Sequence, residues 1–130
     1  MLSILVQDEG FYPWSHKALS ITPLCLEGYD NPEDVDLTSA GELHGNIIII
    51  SFASFSDGRG FSLAHNLRLK GFEGQIYASG HIICDQYRHA RQSGFDGVLL
   101  TEGQARRMPE IYWQEQAKRV SLSYRDKIYA

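Results

Sequence analysis

Apolar and polar positions along the chain switch between two periods, and each switch marks an element. The densest apolar run is Ile47 to Ile50, followed by Ser51 and Phe52. A β-branched run of this kind predicts a strand buried on both faces, the habit of parallel sheets covered by helices. From Ser62 to Lys70 the period becomes helical. Leu63, Ala64 and Leu67 share one face, His65, Asn66 and Lys70 point away, and Gly71 supplies the stop. Between strand and helix lies Ser56-Asp57-Gly58-Arg59-Gly60. Strand, glycine-rich turn and helix together make a βα unit whose loop sits at the carboxyl end of the strand. Open α/β sheets and βα barrels bind their ligands there.

An echo follows at a spacing of 23 residues. Gly71-Phe72-Glu73-Gly74 precedes a run at Gln75–Ser79, and Gly94-Phe95-Asp96-Gly97 precedes another at Val98–Thr101. A glycine past a helix end, with an aromatic folding back on the last turn, is a helix-ending motif. The helix between the copies is expected over Ile83–Ser93, with Tyr87 and Ala90 inward and Asp85 near its start. A further helical region begins near Gln104 and is interrupted by Pro109. A helix over Pro109–Arg119 follows, with Tyr112, Trp113, Gln116, Ala117 and Val120 inward.

The N-terminal third is less regular. Residues 3–6 read as a short strand closed by a turn at Asp8-Glu9-Gly10. Trp14 and residues 19–26 read as an extended piece broken by Pro23. Asn31-Pro32-Glu33-Asp34 has the order of a helix cap, a first-turn proline and first-turn acids, so a helix is expected from Pro32 to about Ala40. Ser121 to Tyr124 alternates as a last strand would, and Arg125 to Ala130 reads as a tail.

Successive βα units with right-handed crossovers imply an α/β fold with a mostly parallel sheet. Three such units are too few to close a barrel, so the sheet is either an open three-layer sandwich or a partial βα-barrel-like fragment. The 130 residues form one domain, with a variable part over 1–45 and a βα core over 46–126.

Composition narrows the function classes. A 43% hydrophobic and 22% charged chain is ordinary for a soluble protein, and no apolar run approaches the ~20 residues of a membrane span. The N-terminus lacks the basic and apolar regions of a secretory signal. Cys25 and Cys84 show no metal or disulfide spacing, so a cytoplasmic protein with reduced thiols is expected. The net charge of −4 is unevenly spread: no Lys or Arg falls between Lys17 and Arg59, where seven acids including Asp57 fall, counted from Glu27 on. Two differently charged solvated faces, or a complementary contact with a partner protein or a second copy, both follow from this. An acidic chain without basic runs interleaved with aromatics disfavours nucleic acid.

Chemistry concentrates after the strands. Asp57, Gly58, Arg59, Gly60 and Ser62 form an anion receptor in principle. The glycines let backbone N–H groups face inward, the helix N-terminus adds positive potential, and Arg59 offers a bidentate fork. The plainer alternative is that Asp57 caps the loop and pairs with Arg59. Arg68 lies too far along the helix to join them. His81 and Asp85 follow the next strand and, with Asp57, are the candidate acid–base groups. Glu102 opens the helix after the third. Cys84 reads as packing, and the remaining histidines form no ligand set, so no metal is expected. No flavin, nicotinamide or iron–sulfur signature is present, so no cofactor is expected either.

The block Asp57 to Arg68, with Phe52 and Phe55 before it, resembles a bacterial family of unknown function, number 934 in the domain-of-unknown-function series. The likeness continues through Gly71-Phe72-Glu73-Gly74, Gly80, Asp85, Gln86, Arg91, Gly94-Phe95-Asp96 and Tyr124, and covers about 44–126. His81 and Gln75 stand where the family pattern carries acids. Members are often labelled oxidoreductases and are typically encoded beside assimilatory sulfite reductase. The resemblance therefore implies an accessory or oxidoreductase of sulfite reduction, with sulfite reductase or a second copy as partner. A non-catalytic adaptor module is the alternative.

Overall fold

The computed structural model describes residues 1–15 and 21–119. Six strands form one sheet: β1 (Leu2–Gln7), β2 (Gly10–Pro13), β3 (Leu24–Glu27), β4 (Ile47–Phe52), β5 (Gln75–Gly80) and β6 (Gly97–Thr101). Five α-helices accompany them: α1 (Leu37–His44), α2 (Arg59–Leu69), α3 (Tyr87–Ser93), α4 (Glu102–Arg107) and α5 (Glu110–Ala117). The strand order is β2-β1-β6-β5-β4-β3, with β3 to β6 parallel and β1 antiparallel to both its neighbours.

From β3 to β6 each strand is laid beside its predecessor in one unchanging direction. Right-handed crossovers that never reverse direction place every connecting helix on one face. The side-chain alternation agrees. Ile48, Ile50, Phe52, Ile76, Ala78, Val98 and Leu100 meet Ala40, Leu63, Leu67, Ala90 and Trp113 in the main core. Ile49, Tyr77, Leu99 and Leu5 form a smaller cluster on the opposite face, with Trp14 edge-on to Tyr77 at 5.4 Å. Among the described residues no helix joins that second cluster. The expected α/β fold of successive βα units is what forms, singly wound as in an opened barrel segment and not layered on both sides. β2 and β1, in the N-terminal part, extend the same sheet beyond β6.

The 23-residue echo is a repeated helix-ending device. The N–H groups of Gly71 and Phe72 donate to the carbonyls of Arg68 and Leu67, and those of Gly94 and Phe95 to the carbonyls of Arg91 and Ala90. The two glycines take φ of 100° and 113°, which a Cβ would resist. Each copy also holds an arginine three residues before its glycine. Arg68 and Arg91 both donate through Nη1 to the carbonyl of the phenylalanine four residues on.

Several boundaries differ from the sequence reading. The helix expected over Pro32–Ala40 is two pieces. Asn31 caps a 3-10 turn at Pro32–Asp34, and Asp36 then takes the N–H groups of Thr38 and Ser39 to start α1 afresh. Lys70 Nζ fixes the joint by donating to the carbonyls of Pro32 and Val35. Helix α2 begins at Arg59, not Ser62, because the Asp57 carboxylate already satisfies the Arg59 N–H. The helix expected over Ile83–Ser93 opens with a 3-10 turn at Cys84–Gln86 before α3. The region near Gln104 starts two residues early as α4, where Thr101 and Gln104 cap one another. On α5, Trp113 and Ala117 are buried as expected, while Tyr112 is 55% exposed. The hairpin partner β2 was not foreseen. The extended piece at 19–26 survives as β3; residues 16–20, Val120, the strand at 121–124 and the tail lie outside the described residues.

Candidate functional site at the carboxyl rim

Because β3 to β6 are parallel, their outgoing loops gather at one end of the sheet. Backbone and side-chain amides tie these loops together. Gly28 N–H donates to Ser51 O at 2.9 Å and His81 N–H to Phe52 O at 3.0 Å. Gln86 Nε2 reaches Phe55 O, and Gln104 Nε2 reaches Gly80 O, each at 2.8 Å. Arg59 and His81 therefore share a rim, as the sequence reading requires.

Their partners there are specific. The Arg59 guanidinium lies along the Asp57 carboxylate, with Nε at 2.9 and 3.1 Å from the two oxygens and Nη2 at 2.6 Å from Oδ2. The Arg59 backbone N–H adds a fourth bond to Asp57 Oδ1. Hydrogen bonds from the Arg59 side chain, then from its backbone, hold the Asp57 carboxyl down at about 2. Arg59 also lies over the Tyr29 ring, 5.5 Å from its centroid. The fork that an oxyanion would use is thus occupied by the chain's own carboxylate, which is the plainer of the two readings of the loop.

Gly60 packs where a side chain would not fit: a Cβ would stand 2.5 Å from the Phe52 ring, and a Cβ on Gly28 would stand 3.3 Å from the Gly60 backbone. Ser62 faces elsewhere, lining a groove of about 440 Å³ between α2 and α3 with Phe61, His65, Asn66 and His89. His81 is exposed and meets Phe55 edge-on, ring centroids 5.2 Å apart. Asp85 is exposed, and the contact recorded for it is the Cys84 thiol at 3.8 Å. Burial, then the Asp85 charge, pushes the Cys84 thiol up. The structure brings Asp57 and Arg59 into direct contact and puts His81 and Asp85 on the same rim. It links neither His81 nor Asp85 to the pair by a hydrogen bond among those recorded. Among the described residues no group of three or more His, Cys, Asp or Glu is placed to hold a metal ion.

One participant escaped the sequence reading. Tyr29, in the turn after β3, is 55% exposed under Arg59. An aromatic inside a Gly-Tyr-Asp-Asn turn is the signal that would have found it, since a turn offers it no core. Arg68, too far along the helix to join the rim, lies at the opposite end and binds the carbonyls of Phe72, Gly74 and Gly94 and the Asp96 carboxylate. The recurrence of arginine at the same offset from Gly71 and Gly94 was its signal.

The fold and its rim define a singly wound α/β domain whose strand-end loops are stapled together. The chain belongs to the family described as bacterial protein of unknown function (DUF934), whose pattern matches residues 26–129. No curated protein and no solved structure matches it. No helix among the described residues is long and apolar enough to cross a membrane.

Proposed function

We propose that this chain is a cytoplasmic accessory protein of assimilatory sulfite reduction that acts without catalysis, by docking its carboxyl rim onto a partner enzyme. One observation carries the reading. Two aromatic rings, Tyr29 and Phe55, stand 55% and 52% exposed on the rim, each beside a polar neighbour, Arg59 and His81. Exposed aromatic and arginine side chains on a rigid frame are the composition of binding hot spots. Arg59, the group an anion would need, is already engaged by Asp57. The sulfur-metabolism setting, and sulfite reductase as the partner, rest on the family resemblance.

Binding of the purified chain to assimilatory sulfite reductase, followed by surface plasmon resonance, tests the reading. Phe55→Ala and Tyr29→Ala are each expected to weaken binding by roughly tenfold or more, with His65→Ala unchanged. Absence of binding by the unmodified chain, or equal binding by the variants, overturns it. Thermal-shift measurements with sulfite, sulfate and phosphate test the competing anion receptor: stabilisation that disappears in Arg59→Ala would restore that assignment.

A further inference from the structure

We infer that the surface this rim accepts is basic, a protein segment in which lysines or arginines flank apolar side chains. The inference rests on the docking reading above and specifies its partner's chemistry. Tyr29 and Phe55 supply the apolar ground. Around them, among the described residues, the β3–β5 half of the rim carries Glu27, Asp30, Asp57 and Asp85, against Arg59 and Arg88. Asp57 and Arg59 cancel each other. Glu27, Asp30 and Asp85 enter none of the recorded ion pairs. Arg88, the second residue of α3, is exposed three residues after Asp85, so Glu27 and Asp30 remain in excess; Arg106 and Arg107 end α4, and Arg107 turns back toward Gly103, beside Glu102 at the β6 end. The aromatic half of the rim is therefore its negative half.

A free anion is repelled by such a field and a cation is drawn in. Cations that arrive meet ring faces on which a desolvated lysine or arginine gains further attraction. Four hydrogen bonds between the loops already hold the surface in shape, so little ordering is left to oppose binding. A second copy of this chain is the less suitable occupant. Among the described residues Arg88, Arg106 and Arg107 are exposed on the helices that leave the rim itself, and Lys118 and Arg119 follow α5, away from it, so a rim-to-α5 contact would be heterologous and would propagate.

The test is an amide NMR titration of the full chain with a pentapeptide alternating lysine and leucine, and with its glutamine-for-lysine twin. Shifts are expected at 28–30, 55–59 and 81–85 for the lysine peptide. Affinity should fall roughly tenfold from 50 to 300 mM NaCl. The double variant Glu27→Gln/Asp85→Asn should weaken it several-fold, and Glu33→Gln/Asp34→Asn should leave it unchanged. Shifts centred elsewhere, equal binding of the glutamine twin, or insensitivity to Glu27→Gln/Asp85→Asn would overturn the inference. Concentration-dependent assembly of the chain alone that is abolished by Phe55→Ala would also overturn it, in favour of a second copy. Sulfite reductase that binds through Tyr29 and Phe55 without salt dependence leaves docking intact and removes the basic partner. A rim that takes the lysine peptide but ignores sulfite reductase does the reverse.

Discussion

The two ends of the sheet each present an arginine–aspartate pair, and the pairs differ in almost every physical respect. At the amino ends of β5 and β6, Arg68 makes five hydrogen bonds, one of them its ion pair with Asp96; the two side chains are 17% and 10% exposed. The Asp96 carboxylate in turn takes the Ile76 N–H, so the pair stitches helix, turn and two strands. At the carboxyl ends, Arg59 is 65% exposed and its recorded hydrogen bonds go to a carboxylate two residues away. A buried pair fixes chain geometry and is costly to break; an exposed one is screened by water and contributes little to folding. The molecule keeps a buried structural pair at one end of the sheet and an exposed, screened pair at the other.

Breaking the buried pair should have the largest effect. Arg68→Ala removes the cation beside the half-buried Asp96 together with five hydrogen bonds, and is expected to cost about 3–5 kcal/mol, lowering the melting temperature by roughly 10–15 °C. Arg59→Ala should melt with the unmodified protein. If thermal unfolding shows equal losses for both, the contrast between the ends is wrong.

Gly60→Ala probes how tightly the rim is built on the core. An alanine there gains about 1 kcal/mol of helix propensity but drives a Cβ into the Phe52 ring, which is 2% exposed and cannot yield. Overpacking of this kind costs about 1–3 kcal/mol, so a net loss near 1 kcal/mol is expected from urea unfolding, with an unchanged m-value. A stabilised variant would mean that the rim floats free of the core.

The smallest effect is electrostatic. The Asp57 carboxyl is held at about 2 by Arg59. A folded value depressed below the unfolded one stabilises above about pH 4, and that contribution fades as pH falls toward 2. Carboxyl-carbon NMR should therefore show the Asp57 midpoint near 2 and, in Arg59→Gln, a return to the ordinary carboxylate range. A midpoint unmoved by that substitution would mean that something else holds Asp57.

Much of this division was legible in the residues. Continuous apolar runs such as Ile47–Phe52 declare central strands, and two glycine–phenylalanine stops 23 residues apart declare successive βα units. Parallel strands then deliver Asp57, Arg59, His81 and Asp85 to one rim without further information. The sequence reading lost accuracy where side chains two or three residues apart compete for the same backbone. Asp36 outbid a continuous helix from Pro32, while at Asp57 the plainer of the two readings, pairing with Arg59, is the one that forms. Strand β2 was illegible because Gly10-Phe11-Tyr12-Pro13 ends in proline and shows no clean alternation. It is held from outside, by Glu110 accepting the Phe11 N–H. Tyr29 and Arg68 were readable in hindsight from turn context and from the echo.

The staples of the rim, Gln86 and Gln104, are uncharged amides. Acid, base and salt act on ionised groups and leave amides as they are. The loops should hold one shape while the charges displayed on them vary with the medium. Changes in ionic conditions would then alter the field around the rim and leave its outline unaltered.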